Sequence, residues 1–444
     1  MSDSDNKNMA FLKSELDLFN NTAIQLAIDK SAFLEVHPIS TITEKTPLEF
    51  LISGNGEHYL DLSHTILHLQ VKILKNDGSN LTGSDYVAPI NYFLNTMFSE
   101  CSVFLNDKQI ASQTNYAYRA FLESLLFSSK SSQETMYGAS LFFKDTPGKH
   151  DEITTATGAG NTAALIESTN AGYMSRYNAC KNSKLMDLIG ALHFDLATQP
   201  KLLINGVNFR IKLERNKDIF SLMSNTDTYK ISIHSAKLYV RKVTVAPSIM
   251  IAHEKALEKG VIKMPIRRIE IKNFSLSAGL SSSTIANAFI GQLPTRIILG
   301  FVSNQAYTGN SKKNPFKFSH YSLNYLTVLN DGVMVPSKPF QPNFDNDLYA
   351  RCYLNLFTDL NRYHNYQNVP ISYNEYNQGY TLYVIDLTPD LSASESHISV
   401  SKTGNIALDI KFSTPLPETV TLIAYSEYRN VIEIDKTRSV FTDY

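Results

Sequence analysis

His253 and Glu254 stand together in PSIMIAHEKALEKG, the opening of an HExxH motif, in which two histidines on one helical face hold zinc beside a glutamate base. Leu257 occupies the second histidine's position, which excludes a zincin site. His64 and His68 share the same four-residue spacing, but LSHTILHLQVKIL reads as a strand. There the two rings lie on one side, roughly 13 Å apart at about 3.3 Å per residue, too far for one metal ion. Cys101, Cys180 and Cys352 are dispersed, with no CxxC or Cys/His spacing. This argues against a zinc site and a disulfide framework, and for assembly in a reducing compartment. Gly54-Asn55-Gly56 lacks the third glycine of a dinucleotide loop, and neither GxxxxGK[ST] nor GxSxG occurs. No catalytic residue, cofactor or metal is therefore assigned. Paired carboxylates brought together from distant loops, as in glycoside hydrolases, stay open as a catalytic device.

Two further patterns suit binding. Pro336, Pro339 and Pro342 in VPSKPFQPNF keep a PxxP register, which an extended loop inside a folded domain explains more simply than a groove ligand. Tyr349, Tyr353, Phe357, Tyr363, Tyr366, Tyr373, Tyr376 and Tyr380 crowd one stretch, interleaved with Asn, Arg and Asp. That mixture suits a wet subunit interface, with core packing as the alternative.

The elements that would carry these residues are mainly strands. Val207, Phe209, Ile211 and Leu213 alternate with polar residues, as do Ile406, Leu408, Ile410 and Phe412. Further strands are expected at 64–74, 101–106, 231–244, 266–274, 296–303, 323–330, 380–387, 419–426 and 430–435, with Asp77-Gly78, Asn205-Gly206 and Asp331-Gly332 as turns. Helical spacing appears only at 114–129, at 247–260 and near the N-terminus, over about 9–28, where Phe11, Leu12, Leu16 and Phe19 are candidate arm contacts. The Thr-, Ala- and Gly-rich residues 144–172 read as a long exposed excursion.

The expected organisation is an all-β chain of two tandem sandwiches: an N-terminal arm or helix at 1–29, sandwiches at 30–246 and 262–444, and a connector helix at 247–261. Missing βαβ alternation favours jelly rolls over parallel sheets. The chain's 444 residues carry 41 basic and 42 acidic side chains, and both halves are near neutral. Strong direct nucleic-acid binding, which needs a basic stripe or tail, is not expected. The N-terminal MSDSDNKNMAFLKSELDLF lacks the basic start and apolar run of a signal peptide.

Longer strings carry a resemblance. GQLPTRIILGFVSNQAYTGN at 291–310, NPFKFSHYSLNYLTVLNDGVMVPSKPFQPNF at 314–344, EYNQGYTLYVIDLTPDL at 375–391 and LPETVTLIAYSEYRNVIEID at 416–435 closely resemble the major capsid (hexon-like) protein of adintoviruses and Maverick/Polinton elements. YAYRAFLESLLFSS, GVNFRIKLERN and YKISIHSAKLYVRKV fit the same family in the first half. The resemblance implies a double jelly-roll coat protein of a double-stranded DNA virus or virus-like element. It implies homotrimeric, pseudo-hexagonal capsomers in an icosahedral shell. The implied partners are copies of itself, penton and minor capsid or cement proteins; a membrane contact is not assigned. The implied location is the virion, assembled in host cytoplasm or nucleus. A tandem jelly-roll glycan hydrolase or carbohydrate-binding protein is the alternative reading.

Overall fold

The computed structural model describes residues 24–444 except 45, 55, 158–163, 365–367, 396 and 398. Eight long strands build the first half: β1 (Ile28–Val36), β2 (Leu48–Ile52), β3 (His58–Lys75), β4 (Phe98–Leu105), β5 (Lys108–Thr114), β6 (Met186–Ala191), β7 (Phe209–Arg215) and β8 (Tyr229–Val245). They form two four-stranded antiparallel sheets, ordered β1-β8-β3-β6 and β2-β7-β4-β5. The second half repeats the plan with β9 (Ile262–Leu276), β10 (Ser282–Gln292), β11 (Arg296–Ser303), β12 (Leu323–Asn330), β13 (Val333–Phe340), β14 (Leu382–Asp386), β15 (Thr403–Phe412) and β16 (Val420–Ile434). Their sheets run β9-β16-β11-β14 and β10-β15-β12-β13, the same order shifted by eight. Helix α3 (Pro247–Leu257) joins the halves, entered through proline at its first turn.

The alternating strands behave as their pattern requires. In β7, Phe209, Ile211 and Leu213 are fully buried while Arg210 and Lys212 stay partly exposed. At the β12–β13 hairpin, Asp331 and Gly332 take φ of 48° and 84°, the positive pair a two-residue turn needs. β11 and β14 are buried on both faces, which explains their continuous apolar runs RIILGFVS and LYVID.

Several expectations are corrected. The strands at 419–426 and 430–435 are one strand, β16. Residues 24–27 are not helical and Ile28 already starts β1, while Phe11, Leu12, Leu16 and Phe19 lie outside the described residues. Helices α2 (Ala171–Cys180) and α4 (Ala350–Thr358) were not anticipated. The excursion is not a free loop, because Asp145, His150, Thr154 and Asn170 are buried. Its short strands Thr155–Thr157 and Ala164–Ile166 pair as a ribbon.

Candidate functional site: the seam between the sandwiches

The two sandwiches meet along a seam built by helix α1 (Tyr116–Leu126), the turn Asp195–Thr198 and the 144–154 segment of the first half. Opposite them stand β9, β16 and residues 304–318 of the second. Every residue of α1 is buried, so its two charged side chains, Arg119 and Glu123, must find partners inside. Arg119 Nη1 donates to Asp195 Oδ1 at 2.7 Å and Nε to Glu123 Oε1 at 3.0 Å. Both carboxylates then reach across the seam: Ile269 N–H donates to Asp195, and the Tyr425 hydroxyl donates to Glu123 at 3.2 Å. His193 Nδ1 lies 2.7 Å from the other Glu123 oxygen. Burial alone would raise the Glu123 carboxyl, but the Arg119 charge and the His193 hydrogen bond outweigh it and hold it well below the usual carboxylate range.

A second knot lies further along. Arg176 is fully buried and donates to Asp145, Pro89 O and Phe143 O. Asp145 also accepts from Asn314 Nδ2 at 3.0 Å, and its carbonyl accepts from the Tyr380 hydroxyl at 2.6 Å, so the second sandwich holds the excursion in place. Lys144 pairs with Glu375 and Lys317 with Asp151 across the same line. Between the two knots the contact is aromatic. Phe121 stacks on Phe316 with ring centroids 4.2 Å apart, and Tyr118 packs against Tyr307 and Phe316. Such pairs add about 0.5–1.5 kcal/mol beyond area burial.

Gly379 shows how close the approach is. Its φ of +100° disfavours other residues, and an added Cβ would lie 2.4 Å from the His150 ring. Gly379→Ala should therefore lower unfolding stability by about 1–3 kcal/mol, read by urea denaturation. An unchanged midpoint would show that the ring can move aside.

The aromatic candidates divide. Tyr349, Phe357, Tyr376 and Tyr380 are buried inside the chain, where Tyr349 stacks on Tyr373 at 4.6 Å and Tyr353 packs on Phe357 and Tyr373. Tyr353 is half-buried, and Tyr366 lies outside the described residues. Tyr363 and Tyr373 remain exposed, on the same loop-and-helix region as exposed Leu348 and Leu354. The seam residues Arg119, Asp195, Arg176, Asp145 and Asn314 were not picked out from sequence. The available signal was the Arg119/Glu123 pair, four apart within the apolar YAYRAFLESLL.

Among the described residues no group of three metal-ligating side chains occurs. His64 and His68 instead pair separately with Asp61 and Asp187. Ser63, His64 and Asp61 are hydrogen-bonded, but serine and aspartate both approach His64 Nδ1, so the relay of a nucleophilic triad is not formed. Clefts of about 550 and 650 Å³ open beside the seam. The first is lined by one carboxylate, Glu395, against three arginines. In the second, Lys130 pairs with Glu134, while Lys144 and the Ser372 amide engage Glu375.

Comparison with solved structures gives the arrangement a name. A chain of the Sputnik virophage superposes with a TM-score of 0.61 at 14% identity, over 98% of this chain and 92% of that one. The Faustovirus major capsid protein gives 0.58 at 10%, over 94% and 92%, and the mavirus major capsid protein 0.52 at 13%, over 98% and 93%. The fold is a double jelly roll. No family model matches the sequence. "Uncharacterized protein F54H12.2" of Caenorhabditis elegans is 23% identical over 435 residues, 94% of this chain and 98% of that protein. The expected all-β double jelly-roll class is thus borne out. Charged, aromatic and backbone contacts all cross the seam of this double jelly roll. The C-terminus adds a clamp, with Arg438 bonded to Asn205 and Glu254, and the Tyr444 hydroxyl donating to Ile110 O.

Proposed function

We propose that this chain is the major capsid protein of a double-stranded DNA virus or virus-like mobile element, in the adintovirus and Maverick/Polinton group that its sequence resembles. The observation that carries the reading is the strand order, repeated in two sandwiches that dock on each other along the seam. Two sandwiches side by side present six lobes when three copies close about an axis, giving a pseudo-hexagonal block that tiles a shell. Such a ring uses heterologous contacts, one face of the first sandwich against a different face of the second in its neighbour. The exposed Leu348, Leu354, Tyr363 and Tyr373 supply an apolar patch suited to that contact. The partners are then further copies of the chain, with penton and minor capsid proteins at the shell's vertices and joints. Its location is the virion, after assembly in the host cytoplasm or nucleus.

Size-exclusion chromatography with light scattering should give three times the chain mass, and negative-stain images should show hexagonal particles. Tyr363→Asp combined with Tyr373→Asp should shift the population toward monomer. A stable monomer with no hexagonal particles would sink the proposal.

A further inference from the structure

The 550 Å³ cleft at the seam is lined by Arg267, Arg362 and Arg429, from the second sandwich, and closed on the other side by Phe127 and Gln199 of the first. Its charges are unbalanced. Arg267 and Arg429 stand directly opposite each other on β9 and β16, a like-charge pairing that weakens a sheet unless an anion offsets it. Arg296, fully buried, lies behind them, in register with Glu427. Glu427 is the nearest carboxylate, yet it sits 3.6 Å from Arg296 Nη1 and 4.0 Å from Arg267 Nη1, beyond hydrogen-bond distance. Glu395, the cleft's own carboxylate, accepts from Asn361. Three partly buried guanidiniums thus line the cleft with one exposed carboxylate, while behind them Arg296 and Glu427 form a buried pair.

The donors are also unspent. Arg267 Nε, Arg296 Nε and Arg296 Nη1 are buried without a hydrogen-bond partner, and so are both Glu427 oxygens, which stay too far from the guanidiniums to accept from them. Buried donors of this kind are normally satisfied, because leaving one unmet costs about 1–3 kcal/mol. Arg362 spends one donor on Phe127 O, and Arg429 donates through Nη2 to Ala393 O and Glu395 O, which fixes both guanidiniums at the cleft wall. Burial and the neighbouring Arg267 and Arg296 charges lower the affinity of Arg429 for its proton while Glu427 opposes them, and at Arg267 burial is outweighed by the neighbouring acidic groups, Glu427 foremost, which raise it.

We propose that this cleft binds a multivalent oxyanion of the phosphate class, gripped by Arg267, Arg362 and Arg429. Planar guanidinium forks match tetrahedral oxyanions in paired hydrogen bonds, and the bound charge would offset the Arg267/Arg429 repulsion. Binding would therefore tie the two sandwiches together at the seam. The inference rests on residues within one chain and holds for a monomer or a trimer, so its failure is distinct from failure of the capsid reading.

The test is isothermal titration of the full chain in a chloride buffer, with inorganic phosphate and with pyrophosphate as probes. One saturable site per chain is expected, tighter for pyrophosphate. Arg362→Gln and Arg429→Gln should each weaken it at least about tenfold, while Arg351→Gln, whose guanidinium is bonded to Lys338 O and Pro339 O elsewhere on the sandwich, should not. Melting curves without ligand verify that each variant is folded. Should Arg429→Gln unfold, Arg362→Gln on the cleft wall decides alone. Absence of saturable binding to the unaltered chain, or unchanged affinity in Arg362→Gln, would overturn the proposal. Binding of a hexaglutamate peptide without binding of pyrophosphate would overturn it too, assigning the cleft to carboxylates of a protein partner.

Discussion

Arg119→Met is expected to cost about 3–5 kcal/mol of unfolding free energy, because it leaves Asp195 and Glu123 as buried carboxylates with no guanidinium between them. The side chain is fully buried, so water cannot take over its role. Both carboxylates also bridge the sandwiches through Ile269 N–H and the Tyr425 hydroxyl, so the loss should appear as loosening of the seam. Urea denaturation with hydrogen exchange along β9 and β16 measures it. Lys130→Ala, which removes an exposed pair with Glu134, is the control and should cost no more than about 0.5 kcal/mol. A loss under about 1 kcal/mol for Arg119→Met would mean that aromatic packing alone fixes the seam.

The second large effect is a dependence on pH. Burial pushes the His150 imidazole down to about 4 from its ordinary 6.5, and the Lys317 and Arg176 charges add to this while Asp145 and Asp151 oppose it. Its ring nitrogens are buried without partners, and Tyr380 packs 4.8 Å from the ring, so protonation in place is disfavoured. The unfolded chain binds a proton at His150 as pH falls through about 6.5, but the folded chain does so only near 4. The stability contribution is therefore complete above about pH 6.5 and lost progressively down to 4, for a total of roughly 3 kcal/mol. Glu123 acts lower: its depressed carboxyl contributes fully above the usual carboxylate range, and that contribution is lost as pH falls beneath it. Unfolding free energy measured from pH 7 to 4 should decline more steeply in the unaltered chain than in His150→Phe, which keeps the ring contact with Tyr380; the slope left in the variant comes from His320, which burial also holds below its ordinary value, and from the depressed carboxylates near pH 4. Equal slopes in the two proteins would remove His150 from the account.

Much of the architecture was legible because period-two patterning marks strands with one wet face. β7 and β15 show it cleanly, and α1 shows its own helical period. The strands that escaped, β1, β2, β5, β6, β10 and β13, all lie at sheet edges. β1 is exposed along most of its length, so nothing forces its residues to alternate. Residues 144–154 escaped for the opposite reason. They bury polar side chains against specific partners, and Asp145 in a sequence looks the same whether it meets water or Arg176 and Asn314.

By itself the sequence determined the fold class, the neutral charge of both halves and the absence of familiar catalytic spacings, since these depend on local periodicity and composition. Only the tertiary structure decided which tyrosines are core, which charges are buried and where the arginines converge. Those outcomes depend on residues more than a hundred positions apart, such as Glu123 with Tyr425 or Asp145 with Tyr380, being brought within hydrogen-bond distance by the docking of one sandwich on the other.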